Sequence, residues 1–422
     1  MSTDGSPKSA PTAEAERAAE IPSGYFAPRP DARVMKSESE VLDVARRFAE
    51  SIAPGASARD RERRLPFHEL RNLSGTGLLG ITVPKEYGGL AVSTRTLVEV
   101  FKILSAADPA IGQIPQNHFV FVRALDVEGS PWQKSYFLDR VLRGDQFGNA
   151  LSERGTKTVL EFKTRITQKG GALRLNGAKF YCTGALFARW IPVFALDESD
   201  KLVIVFVPQG APGVTVFDDW SGVGQRTTAS GTTRFEDVEV AAENIVPIWR
   251  AYERPSTLGA FAQILHVAID VGIATAALDD AADFVRDRSR PWAESGLSRA
   301  SDEPHIIKHF GQLHIALEAA DALLQRAART FDELDGDAIS EEAATQVSLS
   351  VASAKSFASN VVIEITNALF ELSGTASMDE KYNLDRHWRN ARIHTLHDPA
   401  RWKQFHVGNW FLNGVAPPRV YS

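Results

Sequence analysis

Leu173 to Ala195 reads LRLNGAKFYCTGALFARWIPVFA, and its pattern decides the class of fold. Leu173-Arg174-Leu175 alternates apolar and polar, as a half-buried strand does. Asn176-Gly177 follows, the strongest short signal for a two-residue hairpin turn, whose positions need positive φ. Lys179-Phe180-Tyr181 then returns as a second strand. It ends at Cys182-Thr183-Gly184-Ala185, small residues where a strand must let something approach closely. Trp190 to Ala195 opens the next strand. Two strands, a small-residue end and a buried Trp suit one wall of a flat aromatic ligand. An ordinary sheet with a tight turn fits the same residues.

The strand pattern extends on both sides of this stretch. Short alternating runs at 164–168, 201–207, 214–217 and 232–240 place a β domain over residues 146–251. Residues 31–145 are helical by periodicity. Ser37, Pro66, Thr94, Asp108-Pro109 and Ser130-Pro131 mark five helix starts, and the fourth helix runs through Gln116, Asn117 and His118 to Val127. Residues 252–422 are helical again, with long segments at 256–289, 303–333, 340–373 and 385–413, enough for a four-helix bundle. Residues 1–30, rich in Ser, Pro, Ala and Gly without periodicity, read as a disordered tail. The fold class is therefore α+β: a helical domain, a β-barrel-like middle domain and a C-terminal helical bundle.

Composition narrows the function. A chain of 422 residues exceeds one core, and its 44% hydrophobic and 24% charged residues suit a soluble globular protein. A net charge of −6 gives no reason to expect nucleic acid or an anionic membrane as partner. Cys182 is the only cysteine, which excludes an intrachain disulfide and fits a reducing cytoplasm. No apolar run of membrane-spanning length and no signal peptide is read in the sequence. His305 and His309 share a helix face, but no glutamate completes a zinc motif, so no metal is expected.

Upstream of the opening stretch lies Gly148-Asn149-Ala150-Leu151-Ser152-Glu153-Arg154-Gly155-Thr156. NALSERGT followed by KFYCTGALFARW resembles the acyl-CoA dehydrogenase fold family. There, two such segments cover the sides of a flavin ring. Leu79 to Leu90, LGITVPKEYGGL, resembles that family's N-terminal signature. The detail is more similar to its branch of reduced-flavin monooxygenases, the dibenzothiophene monooxygenases and sulfur-acquisition oxidoreductases. The resemblance spans roughly residues 35 to 420.

It implies a set of roles. Asn149, Ala150, Leu151, Ser152, Glu153 and Arg154 would line one edge of the flavin, and Lys179, Phe180, Tyr181, Cys182 and Thr183 the other. Arg288 resembles the family's cofactor-phosphate arginine, which usually reaches a neighbouring subunit's flavin; Thr375 and Ala376 match a glycine-containing phosphate loop. Acyl-CoA dehydrogenases commonly carry a catalytic glutamate where this chain has His394-Thr395-Leu396-His397-Asp398. His397 would sit beside the reactive edge of the ring and hold a proton there, since histidine titrates near neutral pH. Thr183 and His118 are the further catalytic candidates. The resemblance thus implies a two-component monooxygenase. It would use reduced FMN from a separate NAD(P)H:flavin reductase, and O2, to oxygenate a small organosulfur compound, as a homo-oligomer, most simply a tetramer. The alternatives are an FAD-dependent acyl-CoA dehydrogenase and a non-catalytic binding subunit of the same fold.

Overall fold

The computed structural model describes residues 18–28, 30–336 and 338–419. Among them, seven α-helices come first: α1 (Glu38–Ile52), α2 (Ala56–Glu62), α3 (Phe67–Thr76), α4 (Thr94–Ala107), α5 (Pro109–Gln113), α6 (Gln116–Glu128) and α7 (Pro131–Leu142). The Ser37, Ser93 and Ser130 hydroxyls accept from the amides of Glu40, Thr96 and Gln133, and Asp108 caps Ala110 and Ile111. Each cap satisfies amides that a helix start leaves unpaired. The single helix expected from Asp108 to Val127 is two, α5 and α6, because Pro115 has no amide with which to continue the first. Part of the expected tail is packed. Ala18 bridges Phe217, and the buried Tyr25 donates its hydroxyl to Phe187 O at 3.1 Å. Residues 1–17 of that tail lie outside the described residues.

The middle of the chain forms one seven-stranded sheet from β1 (Arg165–Lys169), β2 (Ala172–Lys179), β3 (Trp190–Leu196), β4 (Leu202–Pro208), β5 (Val214–Val216), β6 (Thr233–Val240) and β7 (Ile245–Val246). Its order is β5-β6-β2-β1-β3-β4-β7. The expected turn at Asn176-Gly177 is absent: β2 runs straight through it. The turn lies earlier, at Gly170-Gly171, where φ is +61° and +82°. Asn176-Gly177 instead makes a bulge against β6, between the pairs of Leu175 and Gly177. There, a Cβ on Gly177 would collide with Thr164. Both sites need glycine; the dipeptide pattern does not distinguish a turn from a bulge.

The remaining helices are α8 (Trp249–Glu253), α9 (Leu258–Asp287), α10 (Pro304–Leu334), α11 (Glu341–Ser373), α12 (Asp385–His394) and α13 (Ala400–Asn413). The helix expected over 385–413 is broken at Thr395–Pro399, leaving His397 on a bend between α12 and α13. α9 packs among α4, α10 and α11. It is long and apolar enough to cross a membrane, yet 83% of its most apolar window is buried inside the protein. Gln263, His266 and Asp270 interrupt the apolar run and conceal its length from a plain reading of the sequence.

Candidate active site

Gly148 and Ala150 join the sheet through their amides, which donate to Trp190 O at 2.9 Å and Pro192 O at 3.2 Å. Ser152 O accepts from Phe180 N at 2.8 Å, so the loop 149–154 lies against the end of β2. Asn149 Nδ2 donates to Tyr181 O at 3.2 Å. The two segments expected to flank one ligand therefore meet. Their charged members serve another purpose. Lys179 Nζ donates to Glu153 Oε1 at 2.7 Å, and Glu153 also accepts the amides of Lys163 and Thr164. Burial, opposed by Glu153, lowers the Lys179 pKa to about 8. Burial acts to raise the Glu153 pKa, but Lys179 and the two amides hold it below the usual range. This buried pair fastens the loop. Arg154 lies over the Phe180 ring, 3.1 Å from its centroid. The Cys182 thiol is buried, and burial raises its pKa to about 12, which leaves it inert.

Thr183 begins a chain of hydroxyls. Its Oγ1 is 2.6 Å from Ser230 Oγ, which is 2.7 Å from Thr228 Oγ1. Thr228 donates to Gln225 O at 3.0 Å, and Trp220 Nε1 donates to the same carbonyl at 2.9 Å. A carbonyl at the end fixes the direction of the whole chain: Thr183 donates to Ser230, and Ser230 to Thr228. Thr183 is left with lone pairs to offer. The loop then crosses to the helices, where Gln225 N donates to Asn390 Oδ1 at 2.6 Å. Asn390 and His394, four apart on α12, share a face. Thr183 and the 394–397 bend thus stand on two sides of one loop.

The helical side is ionisable. His394 is fully buried and paired to Asp270 of α9, and its ring lies 5.0 Å from that of His266. The His266 ring in turn lies 4.1 Å from His397, tilted by 36°. His397 is exposed as a residue, with one face of its ring against His266. Burial of the ring, then His394 and Lys355, lower its pKa to about 4. It is neutral at physiological pH. Several buried polar atoms around these walls have no protein partner: Asn149 Oδ1, both side-chain atoms of Gln146 and Gln225, and Gln263 Oε1. Buried amides left so are costly unless something completes them. Donors and acceptors of this kind match the carbonyl oxygens and ring nitrogens of an isoalloxazine.

Two expectations are placed elsewhere. His118 accepts from Phe147 N at 3.0 Å on Nδ1 and donates Nε2–H to Leu79 O at 2.8 Å. Both nitrogens are spent on backbone, and burial lowers its pKa to about 4. It ties α6 to the start of the β domain and has no proton to exchange. Arg288, Thr375 and Ala376 are exposed at the far end of the bundle, where Ser289 Oγ donates to Ser373 O at 2.9 Å. Along α9, Arg288 stands about 33 Å from His266 at 1.5 Å per residue.

Sequence patterns alone do not single out His266, Asp270, Lys355, Ser359 and Asn390. A weak cue exists for four of them. His266 and Asp270 are four apart on an otherwise apolar helix, and Lys355 and Ser359 are four apart on another.

Family models for the acyl-CoA dehydrogenase N-terminal, middle and C-terminal domains match residues 35–145, 149–238 and 264–402. A dibenzothiophene monooxygenase of Rhodococcus erythropolis is 32% identical over 397 residues, 90% of this chain and 95% of that protein. The probable FMNH2-dependent monooxygenase SfnC of Pseudomonas putida is 30% identical over 391 residues, 90% of this chain and 97% of that one. The crystal structure of FMN-bound TdsC from Paenibacillus sp. A11-2 is similar with a TM-score of 0.86 and 31% identity, covering 90% of this chain and 99% of the other.

Proposed function

We propose that this chain, which belongs to the acyl-CoA dehydrogenase family, is the oxygenase of a two-component flavin monooxygenase acting on an organosulfur compound. One observation carries the reading: the bend where thioester chemistry would need a free carboxylate presents an imidazole. The carboxylates nearby are committed, Asp270 to Lys355 at 3.0 Å and Asp398 to Lys403 at 2.8 Å. Reduced FMN, when bound, supplies the two electrons and two hydrogens that let O2 leave one oxygen on the substrate and the other in water.

The residues of the chain divide the remaining work. The backbone of Leu151, whose neighbour Ala150 is spent on the sheet, and the unpaired side-chain amide atoms of Asn149, Gln146 and Gln225 bind and orient the ring. Thr183, with lone pairs outward, accepts an N–H, which a reduced ring has and an oxidised one lacks at the same nitrogen. Neutral His397 accepts or returns a proton at its ring nitrogen. Phe180, Tyr181 and Trp220, with ring centroids 4.6 to 6.4 Å apart, cover the outer edge and exclude water.

The phosphate group needs a second copy of the chain. About 33 Å is longer than an FMN molecule, so Arg288 and Thr375 cannot serve the same flavin as His397 of their own chain. They serve a neighbour's. α13 supplies a surface for such assembly: Trp402, Phe405, Phe411 and Leu412 are exposed, Phe411 at 88%. A tetramer in the cytoplasm, fed by a NAD(P)H:flavin reductase, completes the reading.

The test is an isotope experiment. The protein is incubated with NADH, a flavin reductase, FMN, dibenzothiophene and 18O2. One labelled oxygen per sulfoxide is expected, and His397→Ala should lower the rate by about 10²–10⁴-fold, the usual weight of a general acid–base group. Reoxidation of the flavin without labelled product in the wild type, across a panel of thioethers and sulfinates, sinks the proposal.

A further inference from the structure

Four buried side chains behind His397 take no part in the function just described. Asp270 sits at their centre. Its Oδ2 accepts from Lys355 Nζ at 3.0 Å and from Ser359 Oγ at 3.1 Å, both on α11. Its Oδ1 accepts from His394 Nδ1 at 2.5 Å. His394 Nε2 is 3.0 Å from His266 Nδ1. Asp270, Lys355, His394 and His266 are each at most 1% exposed. Packing alone does not call for such a group, since apolar residues of similar volume often hold a core as well as a buried ion pair does.

Hydrogen-bond logic fixes the tautomers. Burial acts to raise the Asp270 pKa, but Lys355 and His394 hold it down at about 2, so the carboxylate is ionised. His394 Nδ1 therefore carries the hydrogen. Neutral His394 has a lone pair at Nε2, and His266 Nδ1 is the donor to it. His266 Nε2 is left with a lone pair of its own, on the ring that lies against His397.

We propose that His266 and His394, anchored by Asp270 and Lys355, form a one-proton store that takes a proton from His397 and returns it during turnover. The inference rests on the role proposed above for His397. A proton reaching His266 forms an N–H bond at Nε2. The Nδ1–H bond then breaks toward His394 Nε2, and the positive charge ends on His394 beside the Asp270 carboxylate. The return path reverses both steps. No electron moves. The oxygenation as a whole takes up no net proton, so a store that gives back what it takes is sufficient.

Its capacity is one. A second proton would set two cations on rings 5.0 Å apart. Lys355 and Lys403 also face this group with positive charge, and Asp270 and Asp398 are the carboxylates that oppose them. The His266 and His397 rings lie 4.1 Å apart at a tilt of 36°, with no ring nitrogens bonded to each other, so the exchange requires His397 to swing. His397 is exposed as a residue on the bend between α12 and α13, and rotamer changes of exposed side chains take picoseconds to nanoseconds.

Nitrogen NMR of the histidine rings in the full-length, flavin-free chain tests the store directly. At neutral pH, His394 and His266 should both be Nδ1–H tautomers, and on acidification their signals should move together as one proton is taken up. In Asp270→Asn the new amide can donate to His394 Nδ1, so the tautomer should invert and the joint uptake disappear. His266→Phe keeps a ring beneath His397 but cannot accept a proton. Its kcat should fall by about tenfold, less than for a direct general acid–base group. Its solvent deuterium isotope effect should rise while KM for reduced FMN stays unchanged; a purely structural role would move KM and thermal stability instead. A wild-type His394 carrying Nε2–H overturns the inference, as does a His266→Phe enzyme with unaltered kcat and isotope effect. The NMR result stands whether or not sulfur is oxygenated. Missing labelled product with the expected tautomers defeats the proposed reaction alone.

Discussion

The two walls of the site are made of different chemistry. On the sheet side, Thr183, Ser230 and Thr228 form a line of neutral hydroxyls ending on a carbonyl. On the helical side, imidazoles back onto a buried carboxylate and ammonium. A hydroxyl line can orient a partner, but it does not change charge near neutral pH. An imidazole line can. The contrast separates holding from proton handling.

The largest effect should come from the centre of the helical wall. Asp270→Ala leaves Lys355 buried without a counter-charge and should cost about 3–5 kcal/mol in denaturant unfolding. A double replacement, Asp270→Leu with Lys355→Met, should recover most of that loss. If the single variant unfolds like the wild type, the helical wall is not the charged structure described here.

Acid should act next, on the buried histidines, one of which lies outside both walls. His118 is buried neutral, with its pKa lowered to about 4 by burial. The unfolded chain binds a proton there near pH 6.5, so stability should be full above pH 6.5 and decline as pH falls to 4. That one group contributes on the order of 3 kcal/mol. His118→Gln should remove about that share of the decline in a urea series across this range. Asp270, held at about 2, contributes above its unfolded pKa of 3.8 and loses its contribution only as pH falls through 2.

The smallest effect belongs to the hydroxyl wall. Thr183→Val removes one acceptor and should weaken reduced-FMN binding by about tenfold, the weight of one hydrogen bond of roughly 1–1.5 kcal/mol. Affinity for oxidised FMN should hardly change, and the solvent isotope effect should stay where it was. Equal losses for both redox forms would place Thr183 off the ring nitrogen.

Local features of the molecule were legible in the sequence to the extent that neighbours in the chain determine them. β3 was expected over Trp190–Leu196 and is found there, because an apolar run bounded by small residues has few alternatives. The cap at Ser37 is set by an amide three residues away. Asn176-Gly177 misled because a bulge and a turn ask for the same residues, and only the position of β6 tells them apart. The segments 149–154 and 179–183 do meet, and Glu153 and Lys179 fasten the loop between them. The buried group at Asp270 was invisible for a plain reason. Its bonds to Lys355 and His394 cross 85 and 124 residues of sequence, and no local pattern reports such a meeting.

α9 has a consequence for how the chain is made. Its apolar surface is covered by α4, which precedes it, and by α10 and α11, which follow. During synthesis α9 leaves the ribosome with only the first of these partners present. Translation at about 5–20 residues per second puts the end of α11, Ser373, on the order of ten seconds behind it. For that interval the nascent chain carries a helix that meets the length and hydropathy of a membrane span. Residues 258–287 therefore need shelter from water and membrane until the bundle can close around them.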